Sequence, residues 1–254
     1  MMIDKELIRQ RFARSMDTYN SEAHVQAQIA KRLGRMIKEH RATNSKRILE
    51  IGAGTGLLTR EVLKVVSPKS YFVNDLVPAS SQKVSAYFDK YPSVNWQFLS
   101  GDMEILPIPD QLDLIVSGSA LQWFRDLDGF FQRAAHALNP GGYLIFNTFG
   151  PVNFQEIRKI TGNGLCYQSL KVIETIAIRN FQIENAFDEL FPLVKKNPAS
   201  VLKHVRATGV NGTSNEQWTK GRLASFTQEY NDQFRCEEGV TLTYHPIYFV
   251  LKKN

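Results

Sequence analysis

The chain has 254 residues, 43% hydrophobic and 22% charged, a composition that suits one large globular domain or a core domain with insertions. Residues 1–10 are charged and lack the apolar stretch of a signal peptide, and no apolar run is long enough to span a bilayer. Only two cysteines occur, Cys166 and Cys236, without metal-ligand spacing. No metal site, disulfide framework or membrane segment is therefore expected, and a reducing, cytoplasmic setting fits best. The net charge of +6 is uneven: residues 1–47 carry a balance of +6, residues 48–150 a balance of −3, and residues 151–225 a balance of +4. Basic flanks around an acidic middle fit an acidic partner, with scattered solvated helix faces as the competing explanation.

Two helices open the chain, over residues 4–16 and 22–39, each with apolar side chains at helical spacing. From Lys46 strands and helices alternate: a strand to Ile51, a helix over 55–66, a strand over 70–75, and a helix over 78–90 with proline in its first turn. Further strands are expected at 94–100, 112–117 and 142–147, with a helix at 126–138. This alternation predicts parallel βαβ units in an α/β, Rossmann-like, doubly wound sheet. After Gly150 the rhythm breaks. Residues 151–212 are mostly non-periodic, apart from an Asn197-Pro198 helix start that runs toward Gly209. Thr213 and Glu216 fit a capping box for a helix to about Tyr230. Two β-rich runs, 240–244 and 247–251, flank His245-Pro246 and predict a terminal antiparallel hairpin that brings the sheet to seven strands. The expected organisation is one domain: an N-terminal helical lid (1–45), a ligand-binding core (46–150), a lid insertion (151–212), and a helix and hairpin (213–254).

The chemistry-bearing positions follow the strands. Glu50-Ile51-Gly52-Ala53-Gly54-Thr55-Gly56 links the first strand to a helix, and its glycines allow a sharp turn with backbone amides close to a ligand. A dinucleotide loop would place its third glycine at position 57, which is leucine, and Glu50 would repel a diphosphate. A cationic, phosphate-free ligand fits better. Asp75, ending the second strand ahead of Leu76, can accept both hydroxyls of a ribose. Asp102 follows the third strand and can accept from an adenine amino group, with the Met103 backbone at the ring edge. Ser117 and the small residues after it leave room for a ligand tail, and Trp123 can wall the pocket. All lie at the C-terminal edge of the sheet, where open α/β sheets bind ligands.

These residues, with Asn139-Pro140-Gly141-Gly142, resemble the S-adenosylmethionine-dependent methyltransferase superfamily over about residues 46–148. A narrower resemblance covers nearly the whole chain. Arg11 to Ser15, Tyr19, Ala23, Gln26, Gly118 to Trp123, Asn147 to Pro151, His204 to Asn211 and Leu242 to Phe249 are similar to the malonyl-acyl-carrier-protein O-methyltransferase family. That resemblance implies S-adenosyl-L-methionine as cofactor, bound by Glu50, Gly52, Ala53, Gly54, Gly56, Asp75, Leu76, Asp102, Met103 and Ser117. It also implies an acidic protein substrate, malonyl-acyl carrier protein, whose methyl ester starts the pimeloyl moiety in biotin synthesis. A carboxylate acceptor is already ionised at neutral pH, so no general base is required. Tyr19 and Arg206 are the candidate catalytic residues, His204 a weaker one, and Arg158 and Lys159 candidates for carrier contact. Neither a membrane nor a nucleic acid is an expected partner. The alternatives are another small-molecule carboxyl or quinone methyltransferase, or a binding module without turnover.

Overall fold

The computed structural model describes residues 3–208 and 219–254. Helix α1 (Lys5–Glu22) starts at Asp4, whose carboxylate accepts from the Leu7 amide, and α2 (His24–Glu39) follows after a break at the buried Ala23. Helix α1 continues past residue 16 through Asp17-Thr18-Tyr19-Asn20-Ser21, a poor helix sequence. The hydroxyls of Ser15, Thr18 and Ser21 bond carbonyls three residues back, and Asn20 and Asp17 are held by Thr55 and Lys83 at 2.7 and 2.9 Å. Tertiary contacts override weak propensity there.

The core alternates as expected: β1 (Arg47–Ile51), α3 (Leu57–Leu63), β2 (Ser70–Asp75), α4 (Ser80–Phe88), β3 (Asn95–Ser100), β4 (Leu112–Ser117), α5 (Leu127–Ala137) and β5 (Leu138–Phe149). Then come α6 (Gln155–Thr161), α7 (Leu170–Ala177), β6 (Gln182–Asp188), β7 (Phe191–Lys195), α8 (Pro198–Ala207), α9 (Lys220–Phe234), β8 (Arg235–Cys236), β9 (Gly239–Tyr244) and β10 (Pro246–Lys252). The main sheet has seven strands in the order β3-β2-β1-β4-β5-β10-β6, the first five parallel and β10 antiparallel to both neighbours. Both of its faces are covered over the inner strands, so β1, β4 and β10 are nearly continuous buried runs rather than alternating ones. Val25, Ile29, Leu33 and Ile37 of α2 are buried in the core on one face, and Phe130 and Phe131 of α5 in the core on the other.

Two expectations are corrected. The terminal runs are antiparallel strands, but they do not form a hairpin with each other. Strand β10 joins the main sheet between β5 and β6, whereas β9 belongs to a second sheet of order β7-β9-β8. His245-Pro246 marks where the chain changes sheets: the Gly150 amide donates to the His245 carbonyl at 2.7 Å, and His245 Nε2 meets Asp188 at 2.7 Å. Segment 151–212 is also not a mere insertion, since it supplies β6 to the main sheet and β7 to the small one. The Asn197-Pro198 start is present, with Asn197 and Ser200 forming a reciprocal cap on α8. Gly209 and the Thr213–Glu216 capping box lie outside the described residues; α9 is capped instead by Thr219.

Candidate active site

After β1 the chain turns through Gly52 and Gly54, whose φ angles of 72° and 55° fall in the left-handed region. A Cβ on Gly52 would lie 2.3 Å from that of Ala120, whereas a Cβ on Gly54 would meet nothing within 4 Å. The first glycine lets the chain after β4 approach, and the second keeps a space open. The amides of Gly52 and Ala53 donate to the Asn74 carbonyl at 2.9 and 3.0 Å. The Asn74 side chain in turn donates to the carbonyls of Leu99 and Gly101 at 2.8 and 2.9 Å. The Asp75 carboxylate accepts from the amides of Gly54 and Val77, each at 2.7 Å. Burial raises the Asp75 pKa, and those amide bonds oppose the shift. The C-terminal ends of β1, β2 and β3 are thus stitched into one rigid edge.

Above that edge lies a cavity of about 140 Å³, on the order of ten times the space of one ordered water. Gly52, Ala53, Gly54 and Asp75 line one end. Leu76, Asp102 and Met103 line the next stretch, and Gly118, Ala120 and Trp123 the far wall. Helix α1 closes it from above with Ile8, Phe12, Met16 and Tyr19, and α2 contributes Gln26 and Ile29. Lys5 fastens α1 down: its ammonium sits 2.6 Å from Asp102 and also contacts Glu104. Phe12 packs edge-on against Trp123 at 6.3 Å between ring centres and lies 6.4 Å from Tyr19.

Seven of the ten expected cofactor positions line this cavity, together with Tyr19; Glu50, Gly56 and Ser117 do not. Glu50 is fully buried and accepts from the Tyr71 hydroxyl at 2.7 Å, so it faces the protein interior rather than a cationic ligand. Burial pushes its pKa up to about 7, against the Tyr71 hydrogen bond. At Gly56 a Cβ would lie 2.4 Å from the Tyr87 ring, so that glycine serves the packing of α3 and α4. The Ser117 hydroxyl donates to the Ile51 carbonyl at 3.0 Å, tying β4 to β1.

Tyr19 lies within the last turn of α1, not after it, and burial followed by the Asp75 charge holds its phenol protonated well above the ordinary range. Arg206 is exposed and does not line the cavity. Two residues of α-helix turn the side chain by about 200°, so burying His204 sends Arg206 outward. His204 is buried between Glu22 on Nδ1, at 3.0 Å, and the Tyr244 hydroxyl on Nε2, at 2.8 Å. Burial lowers its pKa, and the Glu22 hydrogen bond opposes this. The guanidinium of Arg158 donates to the Pro151 carbonyl, while Lys159 is exposed beside the Phe234 ring.

Sequence reasoning missed Lys5, Asn20 and Glu22, for which no local motif exists. Nor does any local motif show that His204 meets Tyr244 or that Gly150 packs on His245. A Cβ on Gly150 would lie 2.4 Å from the His245 ring, and Tyr244 receives Phe149, Phe154 and His204 around its own ring. Of the segments that carry the narrower resemblance, 147–151, 204–208 and 242–249 thus pack on one another, while those of α1, α2 and 118–123 line the cavity.

A methyltransferase domain model matches residues 49–146. A malonyl-[acyl-carrier protein] O-methyltransferase of Chlorobium luteolum is 39% identical over 255 residues, covering 100% of this chain and 97% of that protein. One from Bacteroides thetaiotaomicron is 38% identical, covering 99% of each. Among solved structures, YcgJ from Bacillus subtilis aligns with a TM-score of 0.62 at 17% identity, over 87% of this chain and 97% of that one. The N-methyltransferase NodS from Bradyrhizobium japonicum, solved with S-adenosyl-L-homocysteine, aligns at 0.53 and 14%, over 97% and 98%. Those two establish the fold, and the full-length relatives establish the family: the chain belongs to the malonyl-[acyl-carrier protein] O-methyltransferases.

Proposed function

We propose that this protein methylates the free carboxylate of malonyl-acyl carrier protein, with S-adenosyl-L-methionine as donor, as the first step toward the pimeloyl moiety of biotin. The observation that carries this reading is the cavity at the strand edge, open at Gly54 and bounded by two carboxylates, in a chain similar end to end to enzymes of that name. The residues fit the donor. A carboxylate offers about four acceptor sites, and Asp75 uses two on backbone amides, leaving two for ribose hydroxyls. Asp102, whose two oxygens accept from the Lys5 ammonium, lines the cavity one strand further along with Met103, which supports a contact there with an exocyclic amine.

The donor supplies a methyl group on a sulfonium, so a carboxylate oxygen bonds to that carbon as the carbon–sulfur bond breaks, and no proton moves. The protein therefore needs no base, and Tyr19, held neutral by its surroundings, serves to position rather than to abstract. Alignment of the two reactants is the main contribution asked of the cavity, up to roughly 7–11 kcal/mol in favourable intramolecular cases. Helix α1, with Ile8, Phe12 and Met16 facing inward, excludes water from that encounter. Mass spectrometry of malonyl-carrier incubated with enzyme and donor tests the proposal. A gain of about 14 Da, the mass of one CH₂, is expected, with chemistry at the carboxylate alone. Methylation of a small free acid or a quinone, with the malonyl-carrier untouched, would refute it.

A further inference from the structure

Among the described residues, the non-glycine positions with a left-handed φ are Arg41, Gln111, Ser119 and Phe154, and of these Ser119 alone lines the cavity. A side chain with a Cβ strains the backbone at its φ of 57°, and such strain persists only where the surroundings impose it. At Ser119 side chains impose it. The Ser119 amide donates to Asn147 Oδ1 at 2.8 Å, and the Ser119 carbonyl accepts from the Gln122 side chain at 2.7 Å. Asn147 is fully buried. Ser117 pairs with Phe146 where β4 and β5 run side by side, and Asn147 stands one residue further on, beside the chain as it leaves β4. Its own amide donates to the Thr148 carbonyl at 3.2 Å, which turns its oxygen toward Ser119. A buried amide side chain is costly to keep in a sheet unless it is bonded, and the bond it makes here is to the strained turn.

Past Ser119 the chain brings Ala120 against the glycine loop, since a Cβ on Gly52 would lie 2.3 Å from that of Ala120. Gly118, Ser119 and Ala120 therefore form a cavity wall in contact with the loop that begins at Gly52. We propose that Asn147 is a positioning residue for methyl transfer. By holding the Ser119 amide it fixes that wall against the glycine loop, and so sets the approach of the acceptor's carboxylate to the donor's methyl group. This role rests on the function proposed above. One carbon passes from sulfur to oxygen, the carbon–oxygen bond forming as the carbon–sulfur bond breaks, so the rate depends on distance and angle rather than on a reacting side chain. A misplacement of about 1 Å can cost about a hundredfold in such a step. Asn147 does not line the cavity, so its effect belongs in turnover rather than in affinity.

The test removes the acceptor and then relieves the strain. Asn147→Leu keeps the volume. Asn147→Thr, whose oxygen sits a bond nearer the backbone and which suits a strand, carries the test if the leucine variant does not fold. Each is compared with the unaltered enzyme, alone and with Ser119→Gly added. The measurements are kcat at saturating donor and malonyl-carrier, KM for the carrier, and S-adenosyl-L-methionine affinity by calorimetry. Loss of the acceptor is expected to lower kcat by about tenfold or more, with KM and donor affinity changed by less than about twofold. Glycine adopts the left-handed φ without strain, so adding it should restore kcat by about threefold or more. A lower unfolding temperature with unaltered kcat would show that Asn147 serves stability alone and overturns the role. A fall that glycine does not relieve, or an equal loss of donor affinity, also overturns it and leaves the proposed function standing. Absence of methyl transfer to malonyl-carrier by the unaltered enzyme overturns both.

Discussion

Asp75 serves the fold and the ligand with different lone pairs, so its replacement has two separable effects. Asp75→Ala leaves the Gly54 and Val77 amides without their acceptor and removes the ribose partner. Calorimetry should show donor affinity weakened by about 1.5–3 kcal/mol, together with a lower unfolding temperature. Gly54→Ala is expected to show the same pair of effects with the Asp75 carboxylate intact: the left-handed φ costs roughly 1–2 kcal/mol of stability, and the added methyl enters the space at Gly54 and hinders the donor. Glu50 behaves differently. Side chains alternate along β1, so 49 and 51 point to one face and 48 and 50 to the other, and position 50 falls beside Tyr71 rather than on the ligand. A one-dimensional motif shows that a carboxylate stands before the glycines but not which face it takes. Its pKa near 7 has a consequence for stability. Relative to an ordinary value of 4.5, the folded state holds a proton that the unfolded state has lost between about pH 4.5 and 7. Stability therefore falls as pH rises through that window, by about 3 kcal/mol for this group once above pH 7. Glu50→Gln keeps an acceptor for Tyr71 without a charge to bury. Urea unfolding should find the variant gaining on the parent as pH rises from 5 to 8, and parallel pH profiles would disprove the assignment.

The elements of the core could be read from the sequence because the inner parallel strands are short apolar runs between turn signals, β3 alternates instead, and the long helices carry an apolar stripe. What could not be read was pairing. Strand β6, Gln-Ile-Glu-Asn-Ala-Phe-Asp, carries polar residues at the sheet's edge, and the short run Phe-Pro-Leu-Val of β7 is interrupted by Pro192, which argues against a strand. With those two unseen, adjacent β9 and β10 were each other's only available partners, and the hairpin followed. The N-terminal helices also divide differently than expected. Helix α2 is built into the core, while α1 lies over the cavity and is pinned at its start by Lys5 on Asp102 and Glu104. Release of α1 alone, turning at Ala23 between the two helices, is therefore the expected way into the cavity. Lys5→Ala should loosen α1 selectively. Removing a largely buried charge-assisted bond worth about 1.5–3 kcal/mol should speed amide exchange in residues 5–22 by roughly tenfold to a hundredfold. Exchange in residues 24–39 should stay slow; acceleration of both helices together would show that they open as one unit.

At the scale of the whole molecule, charge and architecture divide along the same lines. The middle segment, which supplies the parallel strands and most of the cavity's strand edge, carries a balance of −3, and the positive charge lies in residues 1–47 and 151–225. Several of those cations are free of the interior: Arg14 on α1, Lys196 before α8, and Lys203 and Arg206 on α8 are all exposed, and α8 packs against α1, the helix that closes the cavity. Arg206, displaced from the cavity, thereby becomes part of a basic surface beside its cover. An acidic carrier arriving there would be guided by many weak interactions rather than one strong one. Exposed pairs contribute about 0–1 kcal/mol each and weaken over a screening length of about 8 Å at physiological salt. Raising the ionic strength should therefore raise KM for malonyl-carrier, leave the affinity for S-adenosyl-L-methionine almost unchanged, and spare kcat at saturating carrier. The double reversal Lys203→Glu with Arg206→Glu should reproduce that pattern at low salt and flatten the salt dependence, since the charges that salt screens are gone. A fall in kcat at saturating carrier would instead return Arg206 to the chemistry. Salt-independent KM values in both proteins would mean that the carrier docks through apolar contacts, for which the exposed Leu190 and Val194 near β7 would be the next residues to alter.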